Sequence, residues 1–433
     1  MQACVAIAGG GPAGAALALE LRRLGVACVV LARPRPLPCF EGMSERTARL
    51  LERCGLSHAR AVLRPPGARQ ALWNGAVNRH NSEHLVERRA LDRALLDDLR
   101  AYAVTVAETA VRSCQYRDQA WHIATDHGEW RADFLVEARG RAAPAGQGTC
   151  FRGPATIAVA RLFQSEAADD ATAIIPFQRG WAWLARGSDG VASIQFAIDA
   201  GDAPDGGKAG LTALHDALMA EVDGTCGWLA PEAAQRGEAT ARDCTAYLRD
   251  DLIGPAHLRL GDAACGLDPL SGQGVFLALA GAMSAAAVIN TCVNRPQDAA
   301  LAGDFYRQRV ERQFFGKVGL GRDFYAMEQR WAEAPFWRAR ARLPLPETAT
   351  DSPTARCRRP VREQGWVVER DVLVTPDHPL GVWRVEDVPV AELARAMAEA
   401  DFSPLDYAVG HGHDPVAVRR AAVWIAQAGA VGA

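Results

Sequence analysis

The sequence has no pair of cysteines spaced as C-x-x-C, although it contains eleven cysteines in 433 residues. Structural zinc sites usually draw their ligands from such pairs, and disulfide frameworks usually have an even number of cysteines. Neither a zinc-binding nor a disulfide-stabilised protein is therefore expected, and no metal site is predicted. We expect most of the cysteines to be buried free thiols.

Lysine is almost absent from the chain. Lys208 and Lys317 are the only two lysines, so arginine supplies nearly all of the positive charge. Acidic and basic residues almost balance, and the net charge is -3. Such a balance provides no overall attraction to nucleic acid or to an anionic membrane, so neither is predicted as a partner.

The longest uncharged stretch covers residues 269–294. It is long enough to cross a bilayer, but it is rich in glycine at its start and in alanine, serine, asparagine and threonine later. This composition favours a tightly packed helix inside the protein over a membrane span. Met1 leads into an apolar segment with no basic residues before it, so no signal peptide is predicted and the cytoplasm is the expected location.

The composition and length indicate a large folded protein. Hydrophobic residues make up 49% of the chain and charged residues 23%, which supports large buried cores. At about 150 residues per domain, the length predicts two or three domains. Residues 5–31 have the pattern of a βαβ unit, and short alternating strands recur over 155–200. Helical patterns at 390–400 and 415–428 predict a small C-terminal helical module.

A glycine motif, Gly9-x-Gly11-x-x-Gly14, lies between the first predicted strand and the first predicted helix. In this context the glycines permit a tight turn, close approach of a pyrophosphate and close packing of the helix on the strand. The acidic residue that usually binds a ribose after the second strand is replaced by Ala32, with Arg33 next. The candidate dinucleotide contacts are Gly9, Gly11, Pro12, Ala13, Gly14 and Arg33.

A second motif reads Gly261-Asp262-Ala263-Ala264 and continues as Asp268-Pro269-Leu270-Ser271-Gly272-Gln273-Gly274. In this order, the two motifs resemble those of flavoprotein monooxygenases of the p-hydroxybenzoate hydroxylase type. The resemblance implies FAD as the cofactor, with Asp262 on its ribitol and Pro269 beside the isoalloxazine, where it is also a candidate catalytic residue. The further flavin-binding candidates are Gly261, Gly272, Gln273 and Gly274.

Three shorter segments have the order and spacing of the same family. Arg88, followed by Asp92, resembles an arginine that contacts FAD. Glu41-Gly42 is similar to a Gly-Glu-Ser segment of the halogenase-like branch. Residues 137–141, Glu-Ala-Arg-Gly-Arg, correspond to the family's Asp-Ala-Ser-Gly-Arg with two departures. Glu41 and Arg88 are therefore added to the cofactor-binding candidates.

The resemblance covers residues 1–330 and implies an α/β fold. The predicted FAD-binding domain is Rossmann-like and discontinuous, with the segments 1–62, 86–150 and 256–330. A mainly antiparallel β-sheet domain for the substrate is inserted as the segments 63–85 and 151–255. Residues 331–433 have no counterpart in the family and are predicted to form a C-terminal, largely helical extension, with an arm before the helical module.

Gly180-Trp181-Ala182-Trp183 is similar to the W-x-W segment that opens the active-site motif of flavin-dependent tryptophan halogenases. The Ile-Pro that follows there is absent, and no lysine precedes Lys208 to carry an activated halogen, which argues against halogenation. Trp181 and Trp183 are candidate active-site residues, and an ordinary strand with two inward-facing tryptophans is the alternative.

Residues 63–81 are predicted to be a loop with short strands, and His80 and His84 are assigned to a polar loop around residues 78–83. His80 is a candidate catalytic base if it reaches the substrate, and a solvated loop histidine is the alternative. Residues 330–362 are rich in arginine and proline. This segment is predicted to be an exposed linker or arm, which could instead hold an acidic protein partner.

The resemblance implies an FAD-dependent monooxygenase that hydroxylates an aromatic ring with O₂ through a flavin C4a-hydroperoxide. No second dinucleotide fingerprint is present, so the reductant is either NAD(P)H that binds transiently or an external donor. No catalytic triad or carboxylate pair is found, which agrees with a reaction in which the cofactor supplies the chemistry.

The sequence most resembles flavoproteins of the halogenase-like branch that hydroxylate a tryptophan side chain within a protein during tryptophylquinone cofactor biogenesis. A protein or peptide substrate is therefore predicted. The alternatives are a free small aromatic or indole compound, halogenation, and a flavin-binding protein without oxygenase activity. A nucleic-acid-binding role for the C-terminal helices is a further, weaker alternative.

Overall fold

The computed structural model describes residues 2–33, 39–146, 148–166, 169–222, 228–229, 234–346 and 354–432. The chain forms two compact units. The first consists of Met1–Ala286 and Val310–Leu345, and the second of Ala287–Arg309 and Pro346–Ala433. The second unit includes a segment that precedes residue 331, and the three-domain division remains a prediction.

The strands of the first unit are β1 (Gln2–Ala8), β2 (Cys28–Ala32), β3 (Phe40–Met43), β4 (Pro66–Trp73), β5 (Ala76–Glu87), β6 (Thr105–Glu108), β7 (Val111–Arg117), β8 (Ala120–Thr125), β9 (Gly128–Glu137), β10 (Thr149–Arg152), β11 (Thr156–Gln164), β12 (Ala171–Phe177), β13 (Gly180–Arg186), β14 (Val191–Asp199), β15 (Ala234–Asp243), β16 (Tyr247–Arg249), β17 (Ile253–Gly254), β18 (His257–Arg259) and β19 (Cys265–Gly266). The helices are α1 (Pro12–Arg23), α2 (Glu45–Cys54), α3 (Ser57–Ala61), α4 (Arg88–Ala101), α5 (Gly207–Glu221), α6 (Gly274–Asn294), α7 (Ala299–Met327) and α8 (Pro335–Ala341). Both α6 and α7 have residues in each of the two units.

The first sheet contains five parallel strands in the order β18-β9-β1-β2-β6. Strand β17 extends one edge, and the β7–β8 hairpin joins β9 in antiparallel pairing. The central strand β1 is wholly apolar over Val5, Ala6, Ile7 and Ala8, and none of these residues is exposed. Continuous apolar strands suit a parallel sheet that is covered on both faces. The predicted Rossmann-like domain is confirmed.

The second sheet has eight strands in the order β15-β11-β14-β13-β12-β4-β5-β3. All of its neighbours are antiparallel except β12 and β4. Ile194 and Phe196 alternate with polar positions along β14 and pack in a core with Leu218 of α5. This alternation is expected for a sheet with one face on a core. The predicted inserted, mainly antiparallel sheet is confirmed.

The segment predicted to be a loop with short strands is a long hairpin. Strands β4 and β5 pair in antiparallel fashion up to Trp73 and Ala76, with one shift of register between Arg69 and Ala71. The two residues between them, Asn74 and Gly75, have φ values of +49° and +77°. Asn-Gly is the sequence that best adopts this two-residue turn, so the loop prediction was wrong and the signal for the hairpin was present.

Helix α6 contains most of the long uncharged stretch. By length and composition it could cross a membrane, and half of its most apolar window is buried inside the protein. Ala282, Ala285 and Ala286 are among its buried residues. Small side chains allow close packing, as the sequence predicted for this helix. Cytoplasmic location stays a prediction.

The second unit has its own core. Its elements after α7 are β20 (Ala355–Glu363), β21 (Trp366–Val374), β22 (Arg384–Val385), β23 (Val388–Pro389), α9 (Val390–Ala396), α10 (Pro404–His411) and α11 (Pro415–Gln427). Leu373, Leu393, Val418 and Ile425 are fully buried together. The predicted helical module is present, with one helix more than expected and a β20–β21 hairpin before it.

The exposed arm predicted for residues 330–362 is wrong for much of that segment. Pro335–Ala341 form α8 in the first unit, where Phe336, Trp337 and Arg340 are buried. Residues 355–362 belong to β20, and residues 347–353 lie outside the described part of the chain. The high charge and proline content indicated an exposed segment. Three large side chains of this segment are nevertheless buried.

Ten cysteines lie in the described part of the chain, and all ten are free. The prediction that most are buried was wrong. Only Cys54 is fully buried, Cys150 is exposed, and the other eight are half-buried.

Candidate functional site

The first glycine motif forms the turn between β1 and α1. Gly9 has a φ of +119°, and a Cβ there would lie 2.3 Å from the carbonyl oxygen of Ala138. A Cβ on Gly14 would lie 2.0 Å from the carbonyl oxygen of Gly9. No side chain fits at such distances, so the packing of the protein itself demands glycine at both positions.

Gly11 has a different environment. It precedes Pro12 at the first position of α1, where no side chain caps the helix and the first turn has no acidic residue. The nearest atom to a Cβ on Gly11 would be Nη2 of Arg88, at an ordinary contact distance of 3.5 Å. The protein alone would therefore accept alanine here. Free N–H groups at a helix N-terminus suit a phosphate that approaches the backbone closely.

Arg88 lies beside this turn and is buried at the start of α4. Its Nη1 donates to both carboxylate oxygens of Glu41, at 2.9 and 3.0 Å, and its Nε donates to Asp92 at 2.8 Å. Burial by itself would lower the pKa of Arg88, but the two carboxylates outweigh burial and raise it. The structure thus brings the predicted contacts Glu41 and Arg88 together as one charged network next to Gly11.

The second motif packs against the first. Gly261 has a φ of +61° and begins a 3₁₀ turn, Gly261–Ala263. A Cβ on Gly261 would lie 3.1 Å from the Cβ of Ala13 in α1 and 3.7 Å from that of Ala278 in α6. The two motifs, remote in sequence, therefore form one continuous site.

Arg141 holds the second motif in place from the segment 137–141. It donates to the carbonyl oxygens of Thr245 at 2.8 Å and Leu267 at 2.9 Å. Its Nε lies 3.6 Å from a carboxylate oxygen of Asp262. The hydroxyl of Tyr247 donates to the backbone carbonyl of Asp262. These bonds orient the partly exposed Asp262 side chain, as a contact to a polar ligand group requires.

The second half of the motif forms the loop 268–274. Pro269–Ser271 make a 3₁₀ turn, and Gly272 ends it in the left-handed conformation with a φ of +58°. Gly274 then begins α6. The Oε1 atom of Gln273 is buried without a hydrogen-bond partner among the described residues. A buried acceptor without a donor indicates that a ligand supplies one, so the loop fits a bound flavin nucleotide.

Among the described residues, few contacts define where the adenosine part of the dinucleotide would bind. Arg33 is exposed just after β2, and residues 34–38 lie outside the described chain. No contact of Arg33 defines a ribose or pyrophosphate site, so its role stays a prediction.

An aromatic cluster lies between the second sheet and helices α7 and α8. Trp181 and Trp337 are its innermost tryptophans, exposed by 2% and 0%. Leu270 of the 268–274 loop packs against it. The other aromatic members are Trp73, Trp183, Tyr325, Trp331 and Phe336. The structure therefore brings the predicted tryptophans close to the predicted flavin loop, with Trp181 inside the cluster and Trp183 half-buried.

Trp181 takes part in a chain of three hydrogen-bonded side chains. Its Nε1 donates to the hydroxyl oxygen of Tyr325 at 3.0 Å. The hydroxyl of Tyr325 donates to the carboxylate of Asp268, with oxygen distances of 3.0 and 3.1 Å. Asp268 also accepts from the N–H of Leu270 at 2.9 Å. The chain ends at the residue directly before Pro269.

A small cavity of about 30 Å³, with room for about two water molecules, adjoins this chain within the first unit. Asp268 and Leu270 line it from the loop, Lys317 and Tyr325 from α7, and Arg340 from α8. Lys317 lines this cavity from a later part of the chain. The absence of an earlier lysine is therefore weaker evidence against halogenation.

The two candidate histidines lie on strand β5, which the sequence analysis had taken for a loop. His80 is exposed, and its backbone N–H donates to Asn78. His84 is buried, with one ring nitrogen 2.8 Å from the carbonyl of Arg64 and the other 2.9 Å from Glu45. The structure brings neither histidine into the cavity lining, and a catalytic role for His80 stays a prediction without support.

Three residues at this cavity were not predicted from the sequence as functional candidates: Asp268, Tyr325 and Arg340. Asp268 stood inside the quoted motif next to Pro269, and an acidic residue in an apolar loop was an available signal. Tyr325 and Arg340 had no local signal, because only the packing of α7 and α8 brings them to the loop.

The family model described as FAD binding domain matches residues 2–302. Among curated proteins, a tryptophan 2-halogenase from Chondromyces crocatus is 32% identical over 93 residues. That match covers 22% of this chain and 18% of the halogenase, so only a small part of that relative is aligned.

Among solved structures, one described as the peptidyl tryptophan dihydroxylase QhpG, essential for tryptophylquinone cofactor biogenesis, is 37% identical. It matches with a TM-score of 0.85 over 99% of this chain and 100% of that one. The flavin-dependent halogenase CmlS matches with a TM-score of 0.77, 20% identity, and coverage of 99% and 95%. The CmlS match shows a shared fold.

Proposed function

The chain belongs to the FAD-binding domain family, and from this we propose that it is a monooxygenase that hydroxylates a tryptophan side chain within a protein substrate. The observation that carries the proposal is the match to a peptidyl tryptophan dihydroxylase at 37% identity over essentially the whole of both chains. A tryptophylquinone precursor polypeptide is the substrate class that this relationship favours.

FAD is the cofactor, and the site has the parts to hold it. The free N–H groups at the start of α1 and the guanidinium of Arg88 are suited to the pyrophosphate. Asp262 and the unpartnered Oε1 of Gln273 are suited to polar groups of the ribityl chain or ring. When bound, FAD takes electrons from NAD(P)H or an external donor and activates O₂ for insertion of one oxygen atom.

The protein contributes position and a shielded space to such a reaction. Much of the cavity wall is apolar, with Pro154, Leu270, Val318 and Leu343 among its residues. Excluding water protects activated oxygen from wasteful release as H₂O₂. Tyr325 is the aromatic residue of this wall, and the aromatic cluster packed behind it holds its ring in place.

A feature of α7 favours a protein substrate over a free small molecule. Leu320, Phe324 and Met327 are large apolar side chains exposed by 45%, 46% and 58%. Their spacing places them along one face of α7, on the same turns from which Lys317 and Tyr325 line the cavity. Contiguous exposed apolar residues beside a binding cavity are typical of a protein docking surface.

The experiment compares substrates by product mass. The purified protein, loaded with FAD, is given a reductant, ¹⁸O₂ and either a tryptophan-containing precursor polypeptide or free tryptophan. We expect ¹⁸O in the tryptophan side chain of the polypeptide and little or none in the free amino acid. Turnover of free indoles alone would replace this proposal with the small-molecule alternative. Flavin reduction without any oxygenated product would leave a flavoprotein without oxygenase activity.

Halogenation is the second candidate, favoured by Lys317 in the cavity wall and by the local match to a tryptophan halogenase. Adding chloride and bromide to the same assay separates the two reactions. We expect products that contain oxygen and no halogen, and a Lys317→Met variant that keeps hydroxylating. A halogenated product that disappears in Lys317→Met would establish halogenation instead.

A further inference from the structure

The carboxylate of Asp268 sits where a buried hydrogen-bond chain meets the cavity. It lines the cavity directly, and it is the acceptor at the end of the chain from Trp181 through Tyr325. Tyr325 is 3% exposed, so the bond between them is shielded from solvent. The side chain also caps the 3₁₀ turn Pro269–Ser271 by accepting from the N–H of Leu270.

The charged groups around Asp268 come from three directions. Arg340 approaches from α8, Arg141 from the segment after β9, and the Tyr325 hydroxyl from α7. Arg340 is already engaged, because it donates to the carbonyl of Phe336 at 2.9 Å and to Oγ1 of Thr156 at 2.6 Å. Among the described residues, the ion pairs of Arg340 and Arg141 are made with Asp199 and Asp262 and not with Asp268.

The balance of these surroundings makes Asp268 easier to protonate than a solvated aspartate. Burial raises the pKa of this carboxyl, and the hydrogen bonds from Leu270 and Tyr325 and the charges of Arg340 and Arg141 only partly oppose that effect. A carboxylate with a raised pKa is a better proton acceptor than a solvated one. The pKa of Tyr325 is also raised by burial and by the nearby Asp268, so the phenol keeps its proton and acts as a donor.

Ring hydroxylation releases a proton that needs an acceptor. One oxygen atom of O₂ forms a bond to a ring carbon, and the other leaves as water after two electrons and two protons have been supplied by the reductant and solvent. The C–H bond at the attacked carbon then breaks, its electron pair restores the aromatic ring, and the ring oxygen takes up a proton from solvent to complete the hydroxyl group. The proton lost from that carbon must go to a base in a cavity from which water is excluded.

We propose that Asp268 is the catalytic base that takes up this ring proton, and that Tyr325 and Trp181 position its carboxylate. The proposal rests on the proposed hydroxylation and names the group that completes it. Tyr325 holds the carboxylate at the cavity wall, and the indole N–H of Trp181 fixes the Tyr325 hydroxyl so that its proton points to Asp268. Trp181 is thus a positioning residue behind the cavity wall.

The matched test variant is Asp268→Asn. Asparagine has the same shape, and its Oδ1 can still accept from Leu270 and Tyr325, but it cannot take up a proton. FAD content and the rate of flavin reduction should match those of the wild type. The rate of product formation should fall by about a hundredfold, because oxygen transfer precedes loss of the ring proton and the oxygenated ring then lacks its base. Asp268→Glu, which keeps a carboxylate, should recover part of the product.

The pH profile separates catalysis from a structural role. The rate of product formation by the wild type should fall as the pH drops through the pKa of Asp268, because the protonated carboxyl cannot accept a proton. Asp268→Asn should show no such fall. Tyr325→Phe removes a hydrogen-bond donor to the Asp268 carboxylate, which raises the pKa of Asp268 further. The fall in the rate of product formation should therefore occur at a higher pH in this variant than in the wild type.

Two results would overturn the proposal. One is an Asp268→Asn protein that binds FAD and forms product as fast as the wild type. The other, which decides even if this variant does not fold, is a wild-type rate of product formation that stays constant over the whole pH range in which the protein remains folded. Absence of any hydroxylated product from the wild type would instead count against the proposed function, so the two failures are distinguishable.

Discussion

Gly261 lies directly against Ala13, so closely that a Cβ on the glycine would stand 3.1 Å from that of the alanine. Ala13 belongs to the first helix and Gly261 opens the last motif of the flavin site. The two glycine motifs of the flavin site therefore pack directly against each other. Small residues are needed on both sides because the two backbones approach more closely than ordinary side chains allow.

Gly11→Ala should lose FAD without losing the fold. The added Cβ meets nothing closer than 3.5 Å in the protein, but it would stand where a pyrophosphate approaches the backbone. We expect FAD affinity to fall at least about tenfold, or ~1.4 kcal/mol, by titration of the flavin absorbance. The thermal unfolding of the FAD-free protein should be unchanged.

Gly14→Ala is the matched control for this prediction. Its Cβ would collide with the carbonyl oxygen of Gly9 at 2.0 Å, so the FAD-free protein itself should be destabilised. Equal destabilisation by both variants would mean that Gly11 is required by the fold and not by the ligand.

Arg88→Met should destabilise the protein strongly, even before FAD is added. Methionine fills the space but leaves the carboxylates of Glu41 and Asp92 without their cation in a buried setting. Removing one member of such a network typically costs about 3–5 kcal/mol. Urea unfolding of the FAD-free protein measures this change.

Glu41→Gln is the milder companion, because Arg88 keeps Asp92 and can still donate to the glutamine oxygen. A much smaller loss is expected, by the same urea measurement. If Arg88→Met and Glu41→Gln proved equally stable, the network would not be the stabilising element described above.

Asp268→Asn should melt at a higher temperature than the wild type at pH 7. The folded-state pKa of Asp268 is raised by burial, so the favourable contribution of its protonated form is present below the ordinary aspartate pKa of about 3.9. That contribution is lost as the pH rises through the raised folded-state pKa. Asparagine stays neutral throughout, so the two melting temperatures should converge in acid and separate towards neutrality.

The comparison needs the FAD-free form of both proteins, measured by calorimetry over the same pH series. A wild type that is as stable as Asp268→Asn at every pH would show that the carboxylate is not strained by its site. A group selected for catalysis is expected to cost stability, and this variant measures that cost.

Phe324→Ser should weaken recognition of a protein substrate. Phe324 exposes nearly half of its surface on α7, and its backbone carbonyl, which the substitution keeps, accepts the indole N–H of Trp73. We expect a raised KM for a polypeptide substrate with kcat little changed. Val409→Ser, an exposed apolar position on α10, is the control and should leave both constants unaltered. An unchanged KM in Phe324→Ser would exclude this face as the docking surface.

The parts of the site that local backbone geometry governs could be predicted from the sequence. A strand, a glycine turn and a helix follow one another within a few residues, and their glycines are demanded by contacts that recur whenever this turn forms. The order of the two motifs likewise indicated FAD and the two-domain architecture around it. The Asn74-Gly75 hairpin was open to prediction by the same logic, since two residues with positive φ determine it.

Only the tertiary structure brought together the groups that surround the proposed reaction. Tyr325 is 57 residues from Asp268 and 144 from Trp181 along the chain, and no periodic pattern links the three. The arginine-rich segment around α8 looked like an exposed arm, yet Phe336, Trp337 and Arg340 are buried there.

The sequence by itself thus determined that a dinucleotide is bound, because such a ligand is held largely by backbone atoms whose positions follow from a short local motif. The resemblance of the second motif to those of flavoprotein monooxygenases then implied FAD. The tertiary structure decided the cavity and the environment of Asp268. A pKa, a hydrogen-bond chain and a cavity depend on side chains from distant helices and strands, and the distances between those side chains are set only when the elements pack.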